Sequence, residues 1–94
     1  SQGLVNVTVI VPHYKDFSSL LFILHTLGKQ TLSPDEWEVI VVNKDPDIPL
    51  VLPDTLSVTY SLQVLEEPKP GSYAARNRGI AAARGEIIAF TDSD

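Results

Sequence analysis

Apolar residues along this chain fall into short runs at strand spacing, separated by segments at helical spacing. Val5 to Pro12 (VNVTVIVP) is rich in β-branched residues and closes on a proline that cannot donate to a ladder. It predicts a buried central strand. Trp37 to Asn43 (WEVIVVN) predicts a second strand that ends in the polar residues Asn43, Lys44 and Asp45. Ser57 to Leu65 alternates in part and predicts a third strand, less buried on one face, and Glu86 to Thr91 predicts the last. Behind Asp16, a capping residue, Phe17, Leu20, Leu21, Leu24 and Leu27 recur at helical spacing before Gly28. Ser72 to Arg84 predicts a second helix, with Ser72 as its N-cap and Gly85 in the C-cap position. Pro46, Pro49 and Pro53 deny residues 45–53 a regular helix, and Glu66 to Gly71 (EEPKPG) reads as a loop.

Strands alternating with helices or crossovers imply an α/β fold, a Rossmann-like and mostly parallel sheet of about four strands flanked by helices. Ligands of such sheets sit beyond the carboxyl ends of the strands, at a switch point. Three polar clusters belong to that edge: Pro12 to Asp16, Asn43 to Asp45, and Asp92 to Asp94. Asp92 and Asp94 project to the same side if the chain stays extended. Paired carboxylate oxygens suit Mg²⁺ or Mn²⁺ carrying phosphate. Taken alone, Asp-Ser-Asp reads more readily as the polar turn that closes a buried strand. The sequence upstream shifts that balance.

With 94 residues the chain supports one small domain, residues 1–94. A net charge of −5 argues against a nucleic-acid partner, so an anionic ligand needs local cations or a metal. Cysteine is absent, which excludes disulfides and thiolate metal sites. No apolar run approaches the roughly 20 residues that span a bilayer. Ser1-Gln2-Gly3 shows neither the basic nor the apolar region of a leader, so a cytoplasmic location is expected, with membrane association of a longer parent left open. Neither G-x-x-x-x-G-K-S/T nor G-x-G-x-x-G occurs, which removes the usual phosphate-loop and dinucleotide readings.

The strongest pattern is Pro70-Gly71-Ser72-Tyr73-Ala74-Ala75-Arg76-Asn77-Arg78-Gly79-Ile80, followed by Ala83-Arg84-Gly85-Glu86 and an apolar strand ending in Asp92-Ser93-Asp94. It resembles the G-x-x-x-A-R-N-x-G, A-x-G-E and D-x-D pattern of family 2 glycosyltransferases. Thr8 to Tyr14 is similar to that family's opening strand and Pro-x-Tyr turn, and Glu38 to Val42 to its second strand. The resemblance covers essentially the whole chain and implies the N-terminal, nucleotide-sugar-binding half of a GT-A fold, a partial domain. It implies a nucleoside diphosphate sugar as partner, with a UDP-sugar the expected donor, and transfer of the sugar to an acceptor hydroxyl. By position, Pro12, Tyr14 and the polar end of the second strand, Asn43 and Asp45, would flank the base. Asp92 would lie near the ribose, and Asp94 would hold the Mg²⁺ or Mn²⁺, directly or through water, with Asp92 beside it.

Arg76, in the first turns of a helix whose N-terminus faces the ligand edge, is a candidate donor to diphosphate or base oxygens; a structural ion pair or a place in solvent is the other reading. Arg78 and Arg84 are expected in solvent, and Gly79 with its alanine neighbours is expected to let the helix sit close on the sheet. His13 is expected as a loop residue in solvent and His25 as a mid-helix residue. Tyr14 and Tyr73 can stack on a base, though tyrosines so placed are more often wall residues of a loop. One departure from the family pattern matters: Asn43-Lys44-Asp45-Pro46 stands where relatives carry an acidic pair, glycine and serine. The carboxylate that would accept from a pyrimidine N3–H is an amide, which still accepts and donates. Asp45, shifted by a gap, is the alternative.

No general base and no acceptor cleft are identifiable, so the isolated chain is expected to be inactive and the acceptor is undetermined. Pairing between copies through the edge strand, residues 86–91, is expected. Two rivals remain: a haloacid dehalogenase type, whose D-x-D stands on an early strand with the first aspartate as nucleophile, and a non-catalytic nucleotide-sugar-binding or assembly module.

Overall fold

The computed structural model describes residues 5–30 and 33–91. The element order is β1 (Val7–His13), α1 (Phe17–Leu27), β2 (Trp37–Asn43), β3 (Ser61–Glu66), α2 (Ser72–Ala82) and β4 (Ile87–Phe90). The strands form one sheet in the order β3-β2-β1-β4, and every pairing is parallel.

Each face of this sheet has its own core, because the inward positions of β1 and β2 are apolar on both sides. On one face Val11, Val39 and Val41 pack with Leu20 and Leu24 of α1, and with Trp37 and Tyr60. Leu50, Leu52, Leu56 and Val58 of the connection after β2 complete that layer. On the other face Ile10, Ile40 and Val42 pack against Ala75 of α2. A Cβ on Gly79 would come within 2.7 Å of Ile10 Cγ2, so glycine is what lets α2 lie this close. The small residues of α2 are packing residues, as expected.

Several boundaries differ from the sequence reading, each for a local reason. β1 extends to His13, which is buried opposite Asn43 in the ladder and is not a solvent residue. β3 begins at Ser61, not Ser57, because β2 offers its first partner for it at Glu38. Tyr60 instead turns onto Trp37, with ring centroids 4.6 Å apart, and its hydroxyl donates to Leu24 O at 2.7 Å. Burial pushes that hydroxyl up to about 12, so it remains a donor. Asp16 caps α1 as expected, accepting from Ser19 N at 3.1 Å.

α2 ends earlier than expected, and its caps are not the expected ones. The N-cap is Gly71, held at φ 101°, and no side chain caps the helix. The C-cap is Ala83 in extended conformation, so Gly85 is not a helix cap. Arg84 leaves the helix because its N–H donates to Glu38 Oε2 at 2.7 Å and its Nε to Oε1 at 2.9 Å. The Arg84 side chain stays 60% exposed, as expected of a solvated cation, while its Nε–H pairs with the buried Glu38 carboxylate, a partner the sequence did not announce.

Glu38 titrates unusually for a reason visible in its contacts. Burial pushes its carboxyl up, but the Arg84 N–H, the Thr8 hydroxyl, the Arg84 Nε–H and the guanidinium charge together hold it below its ordinary value of 4.5. Its contribution to stability is therefore complete above that value and is lost as the pH falls through the lower folded value. Urea midpoints measured from pH 6 to pH 3 are expected to fall more steeply for the natural chain than for Glu38→Gln. Equal slopes would show that Glu38 carries no such linkage.

Candidate functional site

Because β1 leads into α1 on one face while α2 returns to β4 on the other, the winding reverses between β1 and β4. A crevice at the carboxyl ends of such neighbours is where open α/β sheets bind ligands. The end of β4 is fixed there, since Thr91 N–H donates to Ile10 O at 3.0 Å. Asp92 and Asp94 follow Thr91 in sequence and lie outside the described residues.

Beside this border, between the ends of β1 and β2, lies a cavity of about 410 Å³. His13, Lys15 and Phe17 line one side, Asn43 and Asp45 the floor, and Ile48 to Val51 the far wall. Lys15 adopts φ 64°, in the left-handed region, which turns the chain from β1 toward α1. Its ammonium lies 5.2 Å from the centre of the Tyr14 ring, which is about half exposed. Pro12 is the second-last residue of β1, so Pro12, Tyr14, Asn43 and Asp45 do share one edge.

The wall is tied to the sheet by Asn43. Its Nδ2 donates to Ile48 O at 2.9 Å and to Glu66 Oε1 at 2.8 Å, while Glu66 Oε2 accepts from Leu50 N at 3.0 Å. Both amide hydrogens of Asn43 are thereby used inside the protein. Its Oδ1 accepts from Asp45 N at 3.3 Å. Asp45 is itself buried, and its Oδ1 accepts from Asp47 N at 2.9 Å in a side-chain-closed turn. Nothing local marks Glu66 as the anchor of this loop, because the pairing spans two strands. Ile48 and its neighbours were likewise hidden in a proline-rich loop.

Arg76 packs on a neighbouring ring. It is half-buried on α2, and its guanidinium lies 5.6 Å from the centre of the Phe90 ring, two residues before Asp92. A second, more open cavity of about 540 Å³ borders the start of α2, between Glu67, Lys69, Tyr73, Asn77 and Arg78. Arg78 is exposed there, as expected, and Tyr73 is three-quarters exposed. Among the described residues, no group of three or more histidines and acids could hold a metal. No helix among them is long and apolar enough to cross a membrane.

Comparison with known proteins places these features. Glycosyltransferase AglE of Haloferax volcanii is 37% identical over 91 residues, covering 94% of this chain and 30% of that protein. The crystal structure of Staphylococcus aureus TarS, residues 1–349, superposes with a TM-score of 0.77 at 28% identity, over 96% of this chain and 28% of that one. The same TarS fragment in complex with UDP-GlcNAc gives 0.73 at 29% identity, over 96% of this chain and 27% of that one. The chain thus spans less than a third of the length of these relatives. Its sheet is the GT-A arrangement expected from the D-x-D pattern. The profile of glycosyl transferase family 2 matches residues 8–94, and the chain belongs to that family.

Proposed function

We propose that the chain is the donor-binding portion of a glycosyltransferase that moves a sugar from a nucleoside diphosphate sugar to an acceptor hydroxyl. The observation that carries this reading is the cavity between the carboxyl ends of β1 and β2, in a chain that superposes on TarS holding UDP-GlcNAc. A base in that cavity meets an apolar wall at Phe17 and Ile48 and the carboxylate of Asp45. With Asn43 Oδ1 accepting from Asp45 N–H and both its amide hydrogens given to Ile48 and Glu66, the Asp45 carboxylate is the group offered to a base N–H, which uracil and guanine both present. Tyr14 and Pro12 flank the base from the β1 side. Arg76 beside Phe90 offers its guanidinium to the diphosphate.

The sequence after β4 supplies two carboxylates, Asp92 and Asp94, and oxygen ligands of this kind suit Mg²⁺ or Mn²⁺. Asp94 would hold the ion with Asp92 beside it, and the ion would offset the charge gathering on the departing diphosphate. The residues of this chain bind and orient the donor. A general base and the acceptor cleft are proposed to come from the remainder of a longer protein, so this chain alone has no turnover.

Calorimetric titration of UDP and GDP, with and without Mn²⁺, tests the reading. Binding is expected to require the metal and to weaken about tenfold or more in Asp94→Ala, the loss of one charged contact. Metal-independent binding, unchanged in Asp94→Ala, would contradict it. Pairing between copies through β4 is a companion proposal, supported by the exposed Ile87 and Phe90 at the sheet edge. Light scattering that gives a monomer at high concentration would remove it.

A further inference from the structure

We propose that Thr8, Glu38 and Arg84 form a latch that sets the register of β4 against β1, and so fixes where the chain after Phe90 meets the donor edge. The strand itself specifies its register weakly. β4 has four residues and, among the described residues, pairs with β1 alone. Ile87, Ala89 and Phe90 are exposed, and Ile88 alone packs into the core beneath α2. Burial therefore opposes a one-residue slip only slightly, yet a slip exchanges the two faces and moves the following residues by about 3.3 Å.

The missing specification is supplied at the entry to the strand. Thr8 and Glu38 are ladder partners on the two central strands, and both are buried. The Thr8 hydroxyl donates to Glu38 Oε2 at 2.7 Å and accepts from Gly85 N–H at 2.9 Å. The same Oε2 accepts from Arg84 N–H, and Oε1 accepts from Arg84 Nε–H. Two consecutive backbone donors, Arg84 and Gly85, are thus captured immediately before β4 begins. The latch also excludes the alternatives. A Cβ at Gly85 would lie 2.6 Å from Thr8 N and 2.7 Å from Val7 C, which are backbone atoms that cannot swing away. Sliding the chain by one residue in either direction would bring Arg84 or Glu86 into that position. With the latch closed, Ile87 N–H reaches Asn6 O and Thr91 N–H reaches Ile10 O.

Thr8 and Glu38 are accordingly positioning residues, seated at the opposite edge of the sheet from the donor cavity, roughly 20 Å away along β4 and its flanks. Their effect on ligand binding rests on the donor-binding reading above; their effect on β4 does not. Thr8→Val keeps the shape and removes both hydrogen bonds, and Thr8→Ser keeps the hydroxyl. Amide exchange by NMR is expected to quicken at Ile87 and Thr91 about tenfold or more beyond any change at Val39 to Val41 in Thr8→Val, and to recover in Thr8→Ser. UDP affinity is expected to fall about tenfold with it and to recover likewise.

Equal quickening over β1, β2 and β4, or none at β4, would overturn the latch. Selective quickening with unchanged UDP affinity would overturn its positioning role. If Thr8→Val does not fold, Arg84→Ala, which removes the Nε contact to Glu38 and the Nη2 contact to Ser61 Oγ but keeps both backbone donors, should still quicken β4 selectively, and uniform exchange in it would overturn the latch. A natural chain that binds no UDP would defeat the donor reading, while the exchange comparison would still decide the latch.

Discussion

Gly85→Ala is expected to destabilise the chain by about 2–3 kcal/mol, the range for overpacking a site that cannot relax. Two effects compete at this position. Alanine lowers the entropy of the unfolded chain, which favours folding by about 0.4–1 kcal/mol where the backbone conformation is compatible. Gly85 does not need the left-handed region, so that gain is available in principle. The added methyl, however, meets Thr8 N at 2.6 Å, Thr8 Oγ1 at 2.7 Å and Val7 C at 2.7 Å. Thr8 is fully buried in a central strand, so the turn must withdraw instead, taking the Gly85 N–H away from the Thr8 hydroxyl. Steric exclusion and the lost hydrogen bond together outweigh the entropy gain. The midpoint of thermal unfolding should fall by roughly 10 °C or more for a domain of this size. A variant as stable as the natural chain would show that the turn has room.

The second large effect is expected from Asn43→Asp, which restores the acid that relatives carry at this place in the pattern. Resemblance alone would suggest an improved donor site. The structure predicts the reverse. Asn43 is buried and presents two hydrogens to two acceptors, Ile48 O and Glu66 Oε1. A carboxylate there has no hydrogen for either, and it faces the Glu66 carboxylate across a hydrogen-bond distance. Ile48 and Glu66 are exposed, so water can replace their lost donor, but an unpaired charge at the buried position 43 costs about 3 kcal/mol. We expect a loss of about 2–4 kcal/mol at neutral pH, with the Ile48 to Leu50 wall released and nucleotide affinity lowered. Two carboxyls in contact share a proton readily, so one of them should titrate above the usual carboxylate range. The destabilisation should therefore shrink as the pH falls toward about 5. Denaturation midpoints of the variant and the natural chain, compared at pH 7.5 and pH 5, check both the size and the sign. A neutral substitution at both values would show that Asn43 does not hold the wall.

Much of this architecture is legible in the sequence because its determinants are local. β-Branched runs ending in polar residues located β1, β2 and β4, and leucines at helical spacing behind Asp16 located α1. The parallel order and the polar edge followed from the alternation of these elements. What the sequence concealed depends on contacts between distant residues. His13 is buried because β2 runs beside it as far as Asn43, which no feature of Pro12-His13-Tyr14 announces. Arg84 and Gly85 read locally as a solvent cation and a helix stop. Their real partners, Glu38 and Thr8, lie 46 and 77 positions away. Asn43 was visible as a departure from the family pattern, but its meaning depends on Glu66 at the end of another strand. In each case a side chain that sequence assigns to solvent or ligand is used to fasten one strand or loop to its neighbour.

The measurement that tests the donor-binding account most directly is an amide-resolved NMR titration of this chain with UDP in the presence of Mg²⁺. The account predicts saturable shifts at His13, Tyr14, Asp45, Arg76 and Thr91, along the carboxyl edge of the sheet. It predicts none at Asn6, Glu36 or Arg84 on the opposite edge. Shifts clustered on that opposite edge, or no saturable shift at millimolar UDP, would contradict the claim that this chain carries the donor site.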